Sequence, residues 1–374
     1  MKIDALSLIC AAVLCTILTL GLWPFHSPRN EVFWFTNHDG LHFGKYGTVI
    51  SSAPFQVRGP QNDSESSLEI CLQPDRIWGS GTLLEFYGSG DLLEFSLRQS
   101  QTDLVLRTAT QDDESRSRIA ALYINGVFHR KVPVFIAITA GVSGTSIYID
   151  GVLVAKAHRF LLSDRAFTGR LVVGDAPGQS DSWSGRLLHL AIYDRQLAAT
   201  EVLHHYSTWK QTGRPEVAED ERNIALYPFD EHTGNVIRDR AGSGVDLYIP
   251  EKYQVMDKIV LEPFWAEFEM SRSYWAAALK NIVGFVPVGF LFYAYLTRLL
   301  PPKRAALVTV ALGTAVSLTI EILQAFLPTR DSGTTDLITN TLGTWLGVVS
   351  LRVLYRVFRH SPDPVSRVSH NHLR

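Results

Sequence analysis

The apolar residues of this chain are concentrated in four runs, and the long segment between the first and second of them alternates instead. Residues 5–25 carry no charge, enough to cross a hydrocarbon core of ~30 Å at ~1.5 Å per helical residue. Residues 281–297 carry no charge, residues 305–327 carry only Glu321, and residues 337–351 carry none. Three such runs in series, separated by short polar links and added to the first, predict a bundle of four membrane-spanning helices.

Residues 29–262 have another period. The runs GTLLEFYGSGD, LLEFSLRQ, DLVLRTAT, IAALYINGVF, VPVFIAITAG, TSIYIDGVLVAKA, GRLVVGD and GRLLHLAIYD place Val, Ile, Leu, Tyr and Phe at every second position. They are bounded by Gly, Asn-Gly and Asp-Gly, the chemistry of hairpin turns. Many short strands with one short helix, near residues 198–209, predict an antiparallel β-sandwich of the jelly-roll kind. The expected fold is therefore mixed: an all-α four-helix membrane bundle plus a β-sandwich. The expected domains are residues 1–28 as anchor and first span, 29–262 as sandwich, 263–360 as a three-span membrane domain, and 361–374 as a disordered cytoplasmic tail.

Charge orients this arrangement. Lys2 precedes the first run, whereas no basic cluster follows Trp23; the link after the second span holds Arg298, Lys303 and Arg304, and the carboxyl end holds Arg352, Arg356, Arg359, Arg367 and Arg374. Cytoplasmic loops are the ones enriched in Lys and Arg. Both termini are thus expected in the cytoplasm, with the sandwich and the link around residues 328–336 outside. No A-x-A-like cleavage site follows the first run, so it reads as an uncleaved anchor.

The 374 residues have a formal net charge of −2 and no polybasic run, which argues against a nucleic-acid partner. Cys10, Cys15 and Cys71 supply neither a disulfide framework nor a CxxC metal site, and no cofactor is expected.

The stretch EILQAFLPTRDSGTTDLITN, residues 321–340, interrupts the apolar pattern with ionisable groups. Ser317, Glu321 and Gln324 share one helix face; Asp336, Asn340, Gly343 and Gly347 share another; Asn281, Gly284, Phe285 and Val288 share a third. The predicted topology puts all of them in the outer half of the bilayer. Charged groups at such depth usually face a bundle interior with a partner, and Arg330 is the expected counter-ion of Asp336 or Glu321. Two readings stay open. In one the cluster is a clamp: Pro328 stops the third span, residues 331–333 turn, and Thr334 or Thr335 caps the fourth. In the other, Asn281, Glu321, Gln324, Arg330, Asp336 and Asn340 form an outward-facing ligand pocket, with Arg330 gripping an anionic group.

These motifs carry two resemblances. NIVGFVPVGFL followed by SLTIEILQAFLPTRDSGTTDLITNTLGTWLG resembles the VanZ-like membrane proteins over residues 275–350. Position by position, the resemblance implies that the family's signature falls on Asn281, Phe285, Pro287, Gly289, Glu321, Gln324, Pro328, Arg330, Asp336, Asn340 and Gly343. Its namesake is associated with resistance to a teicoplanin-type glycopeptide, which implies a bacterial cytoplasmic membrane and, as an expectation only, an antibiotic-resistance link. FIAITAGVSGTSIYIDGVLVA, LVVGD and SWSGRLLHLAIYDRQLAATEVLHHY resemble the laminin-G-like, concanavalin-A-like jelly roll. That likeness implies carbohydrate binding, a hydrolase, or a protein-contact platform.

Retaining hydrolysis on such a sandwich needs closely spaced carboxylates, and no E-x-D-x-x-E strand occurs; Glu85, Asp91 and Glu94 are split by a turn. Trp183 and Tyr148 are candidates to stack on a sugar, and Asp175 and Asp181 are weak calcium candidates. Each is also explained as core aromatic or turn aspartate, and His204 and His205 read as helix-face residues without a metal. Two function classes result: a binding protein of the cell envelope, engaging a glycan, cell-wall precursor or envelope protein through the sandwich and a lipid-linked or amphiphilic ligand through the bundle; or an integral-membrane enzyme acting on a lipid-linked glycan or peptidoglycan precursor, with Glu321 or Asp336 as base.

Overall fold

The computed structural model describes residues 4–56, 65–88, 93–111, 117–162, 165–178, 181–213, 223–256, 258–268 and 272–359. The tail expected at 361–374 lies outside them, as does Asp91. The chain begins with helix α1 (Ala5–Leu22), followed by strands β1 (Val32–Trp34), β2 (Leu41–Phe43), β3 (Val49–Ser51), β4 (Ser66–Pro74), β5 (Ser80–Tyr87), β6 (Leu93–Ser100) and β7 (Asp103–Gln111). Then come β8 (Ser117–Ile124), β9 (Val134–Gly141), β10 (Gly144–Ile149), β11 (Val152–Ala157), β12 (Arg170–Val173), β13 (Gly185–Tyr193), helix α2 (Ala199–Thr212), β14 (Asn223–Tyr227), β15 (Val236–Ile237) and β16 (Leu247–Tyr248). Helices α3 (Phe264–Glu267), α4 (Arg272–Leu296), α5 (Pro302–Gln324) and α6 (Thr334–Arg359) complete it. Contacts divide these into two compact units, Ser27–Lys258 and Met1–His26 with Ile259–Arg374.

The first unit is a sandwich of two antiparallel sheets. One runs β1-β2-β13-β4-β9-β10-β11 with β14 also on β13, and the other runs β15-β16-β3-β12-β5-β6-β7-β8. Alternation does the work expected of it: Leu84, Phe86, Phe95, Leu97, Leu104, Leu106, Leu171 and Val173 point inward and are essentially unexposed. The segment after α2 closes the edge of the second sheet, since Leu247 and Tyr248 pair with Ser51 and Ile50. The ends of the unit meet where Arg29 bridges Lys252.

Strand β4 is absent from the sequence reading although it is central to the first sheet. Leu68, Ile70 and Leu72 alternate with Glu69 and Cys71, yet Glu69 and Cys71 are buried as well, because Val202 of α2 and Leu197 just before it cover that outer face. Glu69 accepts a hydrogen bond from the Tyr193 hydroxyl at 2.9 Å and lies 3.0 Å from Nδ1 of His205. His205 therefore fastens α2 to the sheet.

In the second unit α1, α4, α5 and α6 are each long and apolar enough to cross a membrane. Glycines set how closely they cross. A side chain at Gly343 would run into the backbone of Ile282, and one at Gly347 into that of Val286, so α4 and α6 touch backbone to backbone. Gly289 meets the backbone of Thr344 in the same seam. Pro287 sits within α4, and Phe285 packs with Val288 and Ile320 at the bundle centre.

Candidate functional site

The link between α5 and α6 is nine residues long and returns the chain to the bundle end where α5 finishes and α6 begins. The first backbone N–H groups of a helix have no partner within it and carry positive partial charge. Here carboxylates supply the partners. Glu321 accepts from the Gly333 N–H at 2.8 Å, and Glu267 of α3 accepts from the Thr335 N–H at 2.9 Å. The segment before α3 pairs alongside: the Thr334 N–H and hydroxyl both donate to the Glu262 carbonyl, at 2.9 and 3.0 Å, and the Leu261 N–H donates to the Ser332 hydroxyl at 3.1 Å. Thr334 and Thr335 are thus not the caps expected; longer carboxylates reach from other elements and take that place. A Cβ at Gly333 would meet the Glu267 carboxylate, so a side chain there would displace that partner of the Thr335 N–H.

One turn into α6, Asp336 is hydrogen-bonded by the Asn281 side chain of α4. A turn deeper, Asn340 donates to the Ser317 hydroxyl of α5 at 2.9 Å. The faces assigned to α4, α5 and α6 therefore do converge, in pairs stacked along the bundle. Glu321 and Asn340 are 1% and 5% exposed.

Arg330 is not the counter-ion of this group. Its Nε and Nη2 donate to the Trp23 carbonyl at 2.9 and 2.6 Å, and Nη2 also reaches the Leu20 carbonyl at 3.4 Å. Gln324 donates to the neighbouring Gly21 carbonyl at 2.8 Å. The last carbonyls of a helix are orphaned and partially negative, so a forked cation is a natural cap for α1. The six candidate ligand residues thus separate by location: Arg330 and Gln324 hold α1, while Asn281, Glu321, Asp336 and Asn340 stay at the α4–α5–α6 junction. Glu267 joins the junction and Glu262 borders it. Sequence reading missed both, because it searched for polar residues only within the spans; the signal was a pair of glutamates flanking Pro-Phe-Trp-Ala a few residues ahead of the second span. Burial beside Glu267 and Asp331 raises the Glu262 carboxyl above its usual range.

In the sandwich the aspartates are already engaged. Asp175 accepts the N–H groups of Ala176 and Asp181, at 2.9 and 2.7 Å, and the Tyr253 hydroxyl. Asp181 accepts from the Thr82 hydroxyl at 2.6 Å and pairs with Arg98 at 2.9 Å. This explains both as loop pins, and among the described residues no group of three or more His, Cys, Asp or Glu side chains is placed to hold a metal. Trp183, 4% exposed, donates to Gln99, and Tyr148 is buried under α2, so neither presents a ring to a sugar. Glu85 lies on β5 and Glu94 on β6.

These two units define a membrane protein whose helix bundle accompanies an antiparallel jelly-roll sandwich. Residues 211–358 match the VanZ/LLP1 family model. Residues 50–203 match that of the Concanavalin A-like lectin/glucanases superfamily. The chain therefore combines a VanZ-like membrane region with a concanavalin-A-like, laminin-G-like domain. Among curated protein sequences none matches it.

Among solved structures it is similar to a candidate carbohydrate binding protein from Bacteroides ovatus, with 13% identity, TM-score 0.39, and 59% of this chain against 58% of that one. It is also similar to the CBM40 of the Ruminococcus gnavus IT-sialidase bound to α2,3-sialyllactose, with 13% identity, TM-score 0.33, and 44% against 95%. A third similarity is to the heptameric SAP-like pentraxin of Limulus polyphemus, with 15% identity, TM-score 0.33, and 61% against 95%.

Proposed function

We propose that this chain is a multi-pass protein of the bacterial cytoplasmic membrane, with both termini in the cytoplasm. Its sandwich binds an envelope glycan outside, and its α4–α5–α6 junction receives the head group of a lipid-linked or amphiphilic ligand. The orientation rests on where the charges fall: Arg298, Lys303, Arg304, Arg352 and Arg356 belong to one end of the bundle, and Glu262, Glu267, Glu321, Asp331 and Asp336 to the other. The glycan reading is supported by the concanavalin-A-like match.

The observation that carries the bundle's role is the turning away of Arg330. With its guanidinium on α1, the junction is lined by Glu267, Glu321, Asp336 and two asparagines. Such a set accepts hydrogen bonds, so it suits an amine or a hydroxyl-rich head group rather than the anion that Arg330 would have gripped. The test pairs membrane abundance with phenotype, read as susceptibility to a teicoplanin-type glycopeptide and as the composition of envelope polysaccharide, for Asp336→Asn, Asn281→Ala and Asn340→Ala. Normal abundance with a lost phenotype supports the reading. Abundance falling in step with phenotype for all three assigns the junction to helix capping alone.

A further inference from the structure

The chain from Ile259 to Phe268 precedes α4 and belongs to none of the four membrane-length helices. It is nevertheless two-sided. One side is stitched to the α5–α6 link: the Glu262 N–H donates to the Ser332 carbonyl at 2.9 Å, Glu262 and Gly333 form a parallel bridge, and the Glu267 carboxylate holds the Thr335 N–H. The other side is apolar and open. Ile259, Val260, Phe264 and Phe268 are exposed there, and Trp265 is 71% exposed.

This apolar side does not stop at Phe268. The Phe268 ring stands 5.5 Å from that of Tyr274 and 6.4 Å from that of Trp275, both in the first turn of α4. Trp275 is itself 57% exposed. The rings pack on one another and still leave a contiguous apolar patch, the kind of surface that marks a partner. Its position names the partner. The patch runs into Tyr274–Leu296, the membrane-length stretch of α4, and so continues the surface that this helix turns to lipid. Tryptophan and tyrosine collect at the head-group level of a bilayer, where one part of the ring is apolar and another wet. Backbone outside a long helix is tolerated at a membrane when protein groups satisfy it, and here the link does so.

We infer that residues 259–268 form an interfacial shelf, lying in the head-group layer of the bilayer with Val260, Trp265 and Phe268 toward the acyl chains. The shelf carries Glu267, so the junction stands at head-group depth. This builds on the junction reading above and narrows its ligand to one met within the leaflet rather than in water.

Depth measurement tests it. Full-length protein with Cys10, Cys15 and Cys71 replaced by alanine is reconstituted in liposomes and carries a nitroxide on Val260→Cys, Trp265→Cys, Asp331→Cys or Trp345→Cys. Collision with oxygen, which concentrates in lipid, is compared with collision with a neutral nickel chelate, which stays in water. Asp331, exposed in the α5–α6 link, is the aqueous reference, and Trp345, exposed well within α6, is the deep one. The expected oxygen-to-nickel ratio at positions 260 and 265 is at least about threefold above that at 331 and below that at 345. A ratio at either shelf position equal to that at 331 overturns the shelf and leaves the junction reading standing, with a ligand reached from water. A ratio matching 345 overturns the interfacial depth. Low collision with both reagents overturns the inference by assigning the patch to a protein contact.

Discussion

The Nη2 of Arg330 donates to the carbonyl oxygen of Trp23 across 2.6 Å, joining the α5–α6 link to the end of α1. Two residues 307 positions apart in sequence thereby close the bundle around its first helix. Arg330→Lys keeps the charge but loses the planar fork, so one carbonyl is released and the loss of stability should be about 1–2 kcal/mol. Arg330→Met should cost more, since both the bonds and the dipole interaction disappear. Thermal unfolding in detergent checks the order, with Lys between wild type and Met; a Lys variant of wild-type stability would contradict the capping role.

Gly343 and Gly284 both lie in membrane helices but should respond oppositely. Gly343→Leu must push α6 off the Ile282 backbone and is expected to abolish accumulation in the membrane. Gly284 has nothing within 4 Å of where a Cβ would stand, so Gly284→Ala should be neutral. Immunoblots of membrane fractions separate the two.

The sandwich should show a pH-dependent stability traceable to Glu85. Burial pushes its carboxyl up from 4.5 to about 7, against the pull of Arg98 and Arg107 and with the push of Asp181 and Asp175. A carboxyl raised on folding binds more protons in the native state, so its contribution is present below about 4.5 and is lost as pH rises through about 7. Glu85→Gln should therefore leave the melting temperature unchanged at pH 4.5 and raise it at pH 8. His189, buried and pushed down to about 3, acts in the other sense: its contribution is present above 6.5 and is lost as pH falls towards 3. Equal effects of Glu85→Gln at the two pH values would refute the assignment.

Because Asp175 and Asp181 are occupied by protein donors, chelator should not move the melting transition of the sandwich. Asp181→Asn should lower it instead, by releasing Arg98 and weakening the bond from Thr82. A transition that falls sharply in chelator would reinstate a cation at this loop.

Orientation is open to a direct measurement. In a chain with Cys10, Cys15 and Cys71 replaced by alanine, a cysteine at Asp331 should react with an impermeant thiol reagent on intact cells, and one at Lys303 should react only after lysis. The reverse pattern would invert the proposed topology.

Much of this was legible in the order of residues. Hydrophobic period distinguishes the two units without any coordinates, because a membrane helix must be apolar on all sides and a sandwich strand on alternate ones. The spacing of Ser317 with Glu321, and of Asp336 with Asn340, also puts each pair on one face of its own helix, since an α-helix repeats every 3.6 residues. β4 carries the same alternation, Leu68, Ile70 and Leu72 with Glu69 and Cys71 between them, and escaped notice all the same; that Val202 and its neighbours bury its second face is what only the fold shows.

The sequence by itself determined the class of both units, most of their elements and the polar faces of three spans, all of which follow from local period and composition. Only the tertiary structure decided partners. Arg330 stands six residues from Asp336 in sequence, and electrostatics alone would join them. Chain geometry instead sets Arg330 beside the open carbonyls of α1 and gives the amino end of α6 to Glu267 and Glu321. Which orphaned backbone group a side chain satisfies depends on where distant helix ends meet, and no spacing within a span encodes that meeting.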